Sequence, residues 1–259
     1  MRTEAIDTTT AFLSVVVPAF NEEATIATVI HKLLALPHLL EVVIVDDCSS
    51  DRTHEIAREL SAKYPQLTVV RHTVNSGKTE ALKTGFQHTT GEIVIVQDAD
   101  LEYDPTEIPA LIQPIIEGYA DVVYGSRFLV RKTSRVLYFY HYLANRALTF
   151  ASNVLTNINL TDVETGYKAL RGEIIRNMII TSKGFGFEIE VTAKLAKLNC
   201  SIYEAPISYY GRTYEEGKKI GVRDGIAAFW YTLRYNLFCN VQSSFRRIPV
   251  IPQHAEPKI

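Results

Sequence analysis

The chain is short of the residues that most readily betray a function. Its 259 residues include 3 cysteines, 2 methionines and 1 tryptophan. Cys48, Cys200 and Cys239 stand far apart, with neither disulfide nor metal spacing, so the reading is a reducing compartment. No run approaches the roughly 18–20 apolar residues that span a bilayer. The densest stretch, GIAAFWYTLRYNLF at 225–238, is broken by Arg234. The opening MRTEAIDTTT is polar and lacks a signal-peptide core. A net charge of −2 argues against a general nucleic-acid binder. These absences leave a chain that is soluble or rests on a surface.

One absence is local. Between Asp121 and Asp162 there is no acidic residue, yet Arg127, Arg131, Lys132, Arg135 and Arg146 fall there. The stretch from Gly211 to Arg247 is basic too. Such a block is either a solvated face or a holder of an anion or an anionic membrane.

What is present is ordinary in bulk, with 47% hydrophobic and 22% charged residues. It is ordered in pattern. LSVVVPAF, EVVIVDD, LTVVRH, GEIVIVQDAD and ADVVYGSR read as buried strands. Between them lie helical patterns, with Ile26, Val29, Ile30, Leu33 and Leu34 at helical spacing in the first. Ser49 and Asp51 are N-cap candidates for the second helix. Val/Ile runs alternating with helices predict an α/β fold with a mainly parallel sheet covered on both faces. The second half predicts a long aromatic helix from Val136, a turn–strand–helix at 162–178, a helix at 186–199, a strand in SIYEAPISYY ended by proline and a terminal amphipathic helix at 222–238. PVIPQHAEPKI reads as a disordered tail. No linker or repeat divides the chain.

Ligands of open parallel sheets sit at the carboxyl ends of the strands. Pro18–Glu22, Asp46–Asp51, Asp98–Asp100 and Gly125–Arg127 all fall at such ends. Asp98 and Asp100 would face opposite sides of a continuing strand. Where the strand ends they can converge, and their repulsion then calls for a cation. Oxygen ligands select Mg2+ or Mn2+; the bland alternative is a solvated turn. Asp47 is either a nucleotide ligand or part of a helix cap. SGKT at 76–79 is no phosphate loop, because a Walker pattern needs Gly at position 72, which is His. Lys78 at a helix start still suits an anion.

Taken in order, VVVPAFNEEATI, VIVDDCSSDRT, GKTEALKTGF, IVIVQDADLEYDP, VVYGSRF, DVETGYKALRGE and GFGFEIEVTAKL resemble family 2 glycosyltransferases over roughly residues 13–220. The branch they look most like is that of the dolichyl-phosphate mannose and polyprenyl-phosphate glucose synthases. The resemblance implies a GT-A fold, Rossmann-like, with C-terminal amphipathic helices. It implies a single domain over 1–259, with a nucleotide-sugar-binding half at 11–130, an acceptor-binding half at 131–245 and a tail at 246–259. Pro18, Phe20 and Glu22 resemble the nucleotide-contacting segment, with Phe20 where the family often has Tyr. Asp47 looks like the base- or ribose-binding acid. Asp98, Asp100 and Glu102 look like the metal site, Glu102 standing where Gln is common.

The activity so implied is a metal-dependent inverting transfer of mannose or glucose from GDP-mannose or UDP-glucose to a polyprenyl phosphate. A phosphate acceptor needs cations rather than a general base. Arg127, Arg146 and Arg212 match positions where the branch holds the lipid phosphate, and Lys218 or Lys219 resembles its lysine. The stretch RTYEEGKK lacks the family's Ser. Were the acceptor a hydroxyl on a sugar, lipid or protein, Glu164 would be the base; alternatively, Asp162 caps a turn and Gly166 supplies its backbone angle. A non-catalytic nucleotide-sugar-binding protein is the other class. Tyr, Trp, Phe and Arg on RVLYFYHYLANRALTF and DGIAAFWYTLRYNLF suit a membrane interface. The expectation is a cytoplasmic enzyme, peripheral on the cytosolic face, meeting a membrane or a membrane-anchored subunit.

Overall fold

Alternate residues of one strand feed two different cores. Val15 and Val17 of β1 (Leu13–Ala19) join the cluster formed by α1 (Ile26–Leu34), α2 (Thr53–Ser61) and α4 (Ile108–Ile116). Val16 joins the opposite cluster, with α3 (Lys78–Gln87), α6 (Gly172–Asn177) and α7 (Phe187–Leu198). That division follows from the two-residue repeat of a strand and puts helices on both faces. The computed structural model describes residues 6–129, 135, 138–213, 215 and 222–251. Arg131, Lys132, Lys218, Lys219 and residues 252–259 of the expected tail lie outside the described residues.

β1, β2 (Leu39–Asp46), β3 (Leu67–Arg71) and β4 (Ile93–Val96) pair in parallel. β5 (Val122–Ser126) pairs in parallel with β7 (Ile202–Pro206). Between β4 and β5 runs β6 (Lys168–Arg171), antiparallel to both. The order is β3-β2-β1-β4-β6-β5-β7. Because β6 is reversed, the turn that enters it arrives at the edge where the parallel strands end. The turn–strand–helix expected at 162–178 supplies this strand, but nothing in its sequence announced the reversed place between β4 and β5.

α2 starts at Thr53, so neither Ser49 nor Asp51 is its cap residue. Arg52 holds the cap position without a side-chain cap, and Asp51 accepts the Thr53 N–H at 3.0 Å. Ser49 is used elsewhere, accepting the Asn21 N–H at 3.0 Å and so tying the β1 loop to the β2 loop. Cys48, Cys200 and Cys239 are free thiols.

Two helices depart from the usual inward-facing apolar stripe. α5 (Phe139–Thr156) buries Thr149 and Ser152, while Phe139, Tyr140, Leu143, Phe150 and Val154 are exposed. α8 (Val222–Leu237) buries Ala228, Thr232 and Tyr235 and exposes Ile226, Phe229 and Trp230. A short α9 (Val241–Ser244) follows. Among the described residues no helix is long and apolar enough to cross a membrane.

Candidate functional site

The strand ends open into a cleft of about 400 Å³. β1 brings Pro18, Phe20 and Glu22 to it, β4 brings Asp98 and Asp100, and β5 brings Arg127. Glu164 and Gly166 come from the turn into the reversed β6. Tyr167 donates to Gln97 Oε1, and the Gln97 amide donates to the carbonyls of Asp98 and Tyr103, which shapes the acidic loop after β4.

Asp98 does not stand bare. Lys78 Nζ lies 2.9 Å from its Oδ1 and 3.2 Å from Glu188 Oε1. Burial works against the charge of Lys78, but Asp98 and Glu188 outweigh it and hold the amine well above the ordinary lysine range. The anion expected near Lys78 is therefore supplied by the protein. Glu188 reaches it because α3 and the loop before α7 are pinned together: the Gly184 carbonyl accepts from the Thr79 N–H at 3.1 Å and from its hydroxyl at 2.9 Å. Gly77, at φ +88°, allows the chain to enter α3 there. Gly166 is required for space rather than for a backbone angle, since a Cβ would lie 2.8 Å from Asp98 Oδ2.

Asp100 faces a different cation. Arg212 Nη2 lies 2.8 Å from Asp100 Oδ2 and 3.2 Å from Glu22 Oε1, and its Nε stands 3.5 Å from Glu102 Oε1. Burial, together with Asp98 and Glu102, raises the Asp100 carboxyl to about 7 despite Arg212. Glu102 also accepts from the Tyr209 hydroxyl at 2.9 Å and from the Arg212 N–H at 2.8 Å.

Arg127 is clamped by Asp162, with Nε 2.6 Å from Oδ2 and Nη2 2.7 Å from Oδ1. Its guanidinium lies 5.0 Å from the Tyr209 ring centre. Burial opposes the charges of this pair, but their attraction prevails, leaving Arg127 well above and Asp162 below their ordinary values. Asp162 is thus the buried partner of Arg127 rather than a turn cap. Glu164 is different again: its Oε1 is buried without a hydrogen-bond partner, and burial with the charge of Glu188 raises its carboxyl to about 7.

The remaining expected residues scatter. Asp47 lines the cleft, but its oxygens already accept from His72 at 2.7 Å, from the Ser76 N–H at 2.9 Å and from the Gly77 N–H at 2.7 Å. Arg146 is exposed on α5 and does not line the cleft; Nη1 contacts the Thr161 carbonyl at 3.5 Å. Lys218 lies outside the described residues. Sequence reasoning assigned no role to Glu188, Tyr103 or Tyr209, all of which line the cleft. Glu188 sits inside GFGFEIE and Tyr103 inside IVIVQDADLEYDP, both already singled out as motifs; Tyr209 carried no such signal.

A divalent cation can be tested against these donors. Among the described residues, no three His, Cys, Asp or Glu side chains are gathered to hold a metal. Mg2+, however, is commonly bound by one or two carboxylates with substrate phosphates completing the shell. Asp98, Asp100 and Glu102 are all oxygen donors, and beside burial the charges of Asp98 and Glu102 raise the Asp100 carboxyl, a repulsion that a cation there would relieve. The donor set fits a hard ion that arrives with a phosphate ligand.

The pattern described as Glycosyl transferase family 2 matches residues 14–179. A dolichol-phosphate mannosyltransferase of Pyrococcus furiosus is 34% identical over 215 residues, an alignment covering 81% of this chain and 59% of that protein. An undecaprenyl-phosphate mannosyltransferase of Micrococcus luteus is 29% identical over 244 residues, covering 86% of this chain and 97% of that one. The chain thus spans less than two thirds of the Pyrococcus relative. Among solved structures, glucosyl-3-phosphoglycerate synthase from Mycobacterium tuberculosis in complex with phosphoglyceric acid superposes with a TM-score of 0.68 at 23% identity, covering 87% of this chain and 80% of that one. The same synthase has been crystallised with Mn2+, UDP-glucose and phosphoglyceric acid, and that structure superposes with a TM-score of 0.65. This likeness shows the fold.

Proposed function

The chain belongs to glycosyl transferase family 2, and from that premise we propose that it is an inverting hexosyltransferase that moves mannose or glucose from GDP-mannose or UDP-glucose to a polyprenyl phosphate. The observation that carries this reading is the convergence of Asp98, Asp100, Arg127 and Arg212 on one cleft at the strand ends. The names of the Pyrococcus and Micrococcus relatives support the lipid-phosphate acceptor.

In this reading, Pro18 and Phe20 form the wall for the base. Asp47 holds the Ser76–Gly77 turn beside it. Asp98, Asp100 and Glu102 supply oxygen donors for Mg2+ or Mn2+, whose charge stabilises the departing diphosphate when it is bound. Arg127, fixed by Asp162, gives charge-assisted hydrogen bonds to the acceptor phosphate. Arg212 exchanges carboxylate partners for phosphate oxygens as the two substrates meet. An ionised phosphate needs positioning rather than deprotonation, which leaves Glu164 no proton to take. Residues 11–130 supply most of the donor contacts and 131–245 most of the acceptor contacts, with Arg127 crossing to the acceptor.

The outward aromatics of α5 and α8 favour a lipid surface as the place where the acceptor is met. The test is a transfer assay with GDP-mannose and UDP-glucose, with Mg2+ or Mn2+, with and without undecaprenyl or dolichyl phosphate. Labelled sugar should enter the lipid phase with one donor. Nucleotide release that is indifferent to the lipid phosphate would count against the acceptor, and no release with any donor would count against the reaction.

A further inference from the structure

Each carboxylate of the cleft but one is already spoken for. Glu22 and Asp100 hold Arg212, Asp98 and Glu188 hold Lys78, Glu102 holds Tyr209 and the Arg212 N–H, and Asp47 holds its loop. Among the described residues, Glu164 is the cleft carboxylate with a buried oxygen that accepts nothing. A buried acceptor without a donor is costly, so the arrangement makes sense when a ligand supplies the donor.

The turn is built to aim this side chain. Lys168, fully buried at the start of β6, donates to the carbonyl of Val163 at 3.0 Å and to that of Thr165 at 2.5 Å. The ammonium thus grips the backbone on either side of Glu164 rather than its carboxylate. The ammonium of Lys78 is likewise committed, to Asp98 and Glu188.

The ligand's chemistry follows from the surroundings. Glu188 and Asp162 add negative charge near Glu164, with Lys168 and Arg127 the opposing cations. A phosphate set directly on Glu164, on the side away from Arg127, would be repelled by these carboxylates; a neutral hydroxyl would not. The strand order fixes the place. Asp47 follows β2, Asp98 follows β4, and Glu164 precedes β6, the next strand across. A nucleotide-sugar laid along these ends puts its base near Asp47, its diphosphate near Asp98 and Asp100, and its hexose at Glu164.

We infer that Glu164 accepts a hydrogen bond from one hydroxyl of the transferred hexose and so selects the donor sugar, with Lys168 as its positioning residue. The inference deepens the proposed sugar transfer and rests on it.

The experiment compares wild type with Glu164→Gln, a substitution that keeps the side chain's shape. Binding of UDP, GDP, UDP-glucose, GDP-mannose and their monodeoxy analogues is measured by calorimetry with Mn2+, and kcat/KM is measured for the same donors with undecaprenyl phosphate. The variant should bind the nucleoside diphosphates as wild type does and lose about tenfold or more against the parent donor. For one monodeoxy donor the two proteins should become equal. Equal losses on the parent and every deoxy donor, as a general base or a purely structural role would give, overturn the inference. So does an unchanged parent donor. If wild type binds no nucleotide or nucleotide-sugar at all, the proposed transfer itself falls, and this inference with it.

Discussion

Arg212 Nη2 lies 2.8 Å from Asp100 Oδ2, although 112 residues separate the two in the chain. The same guanidinium spans Glu22, so a residue beyond β7 neutralises acids from the ends of β1 and β4. The cation that holds the cleft together therefore stands where the proposed divalent ion would act.

Glutamine at position 212 exposes that competition. Arg212→Gln leaves Glu22, Asp100 and Glu102 without their shared cation, costing about 1 kcal/mol, or about 2–4 °C in Tm. Mn2+ should raise the Tm of the variant more than that of wild type. A variant that ignores Mn2+ would show that these carboxylates do not take the ion.

The Arg127–Asp162 pair is buried, and removing one partner strands the other. Asp162→Asn should lower stability by about 3 kcal/mol, read as a shift in denaturation midpoint. Arg127→Ala should raise the KM for the lipid phosphate and leave donor affinity alone. A loss of donor affinity with acceptor kinetics intact would contradict its placement.

Much of this arrangement can be read from sequence, and the part that cannot has a physical reason. Val/Ile runs are buried on both faces in β1, β4 and β5 and over most of β2, and even the half-exposed edge strand β3 keeps its apolar run, so all five are visible as hydrophobic runs whose polar ends mark the cleft. Asp98, Asp100, Arg127 and Arg212 all reach it. Pairing is another matter: that Lys78 would meet Glu188, or Arg127 meet Asp162, depends on the reversed β6 and on the loop pinned at Gly184, which no local pattern encodes. Arg146 stands outside the cleft lining because helical spacing does not say which face turns inward, and α5 turns its polar face inward.

Glu164 predicts a pH effect. Its carboxyl is raised from 4.5 to about 7 by burial and by Glu188. Between those values the folded state binds more protons than the unfolded one, so stability falls as pH rises, by about 1–3 kcal/mol in all. Wild-type Tm should therefore drop more steeply than that of Glu164→Gln between about pH 5 and 7.5. Parallel curves would place Glu164 in solvent.

The exposed aromatics of α5 and α8 predict membrane attachment. Phe150→Glu with Trp230→Glu should reduce sedimentation with anionic vesicles several-fold while nucleotide binding is unchanged. Undiminished sedimentation would assign these faces to something other than lipid.

Crystals grown with Mn2+ and UDP-glucose or GDP-mannose, and measured for manganese anomalous scattering, test the central claim most directly. The expected result is one manganese peak beside Asp100 and the donor's diphosphate, with Arg212 moved off that carboxylate. A nucleotide bound away from the strand ends, with Arg212 still on Asp100 and no manganese there, would contradict it.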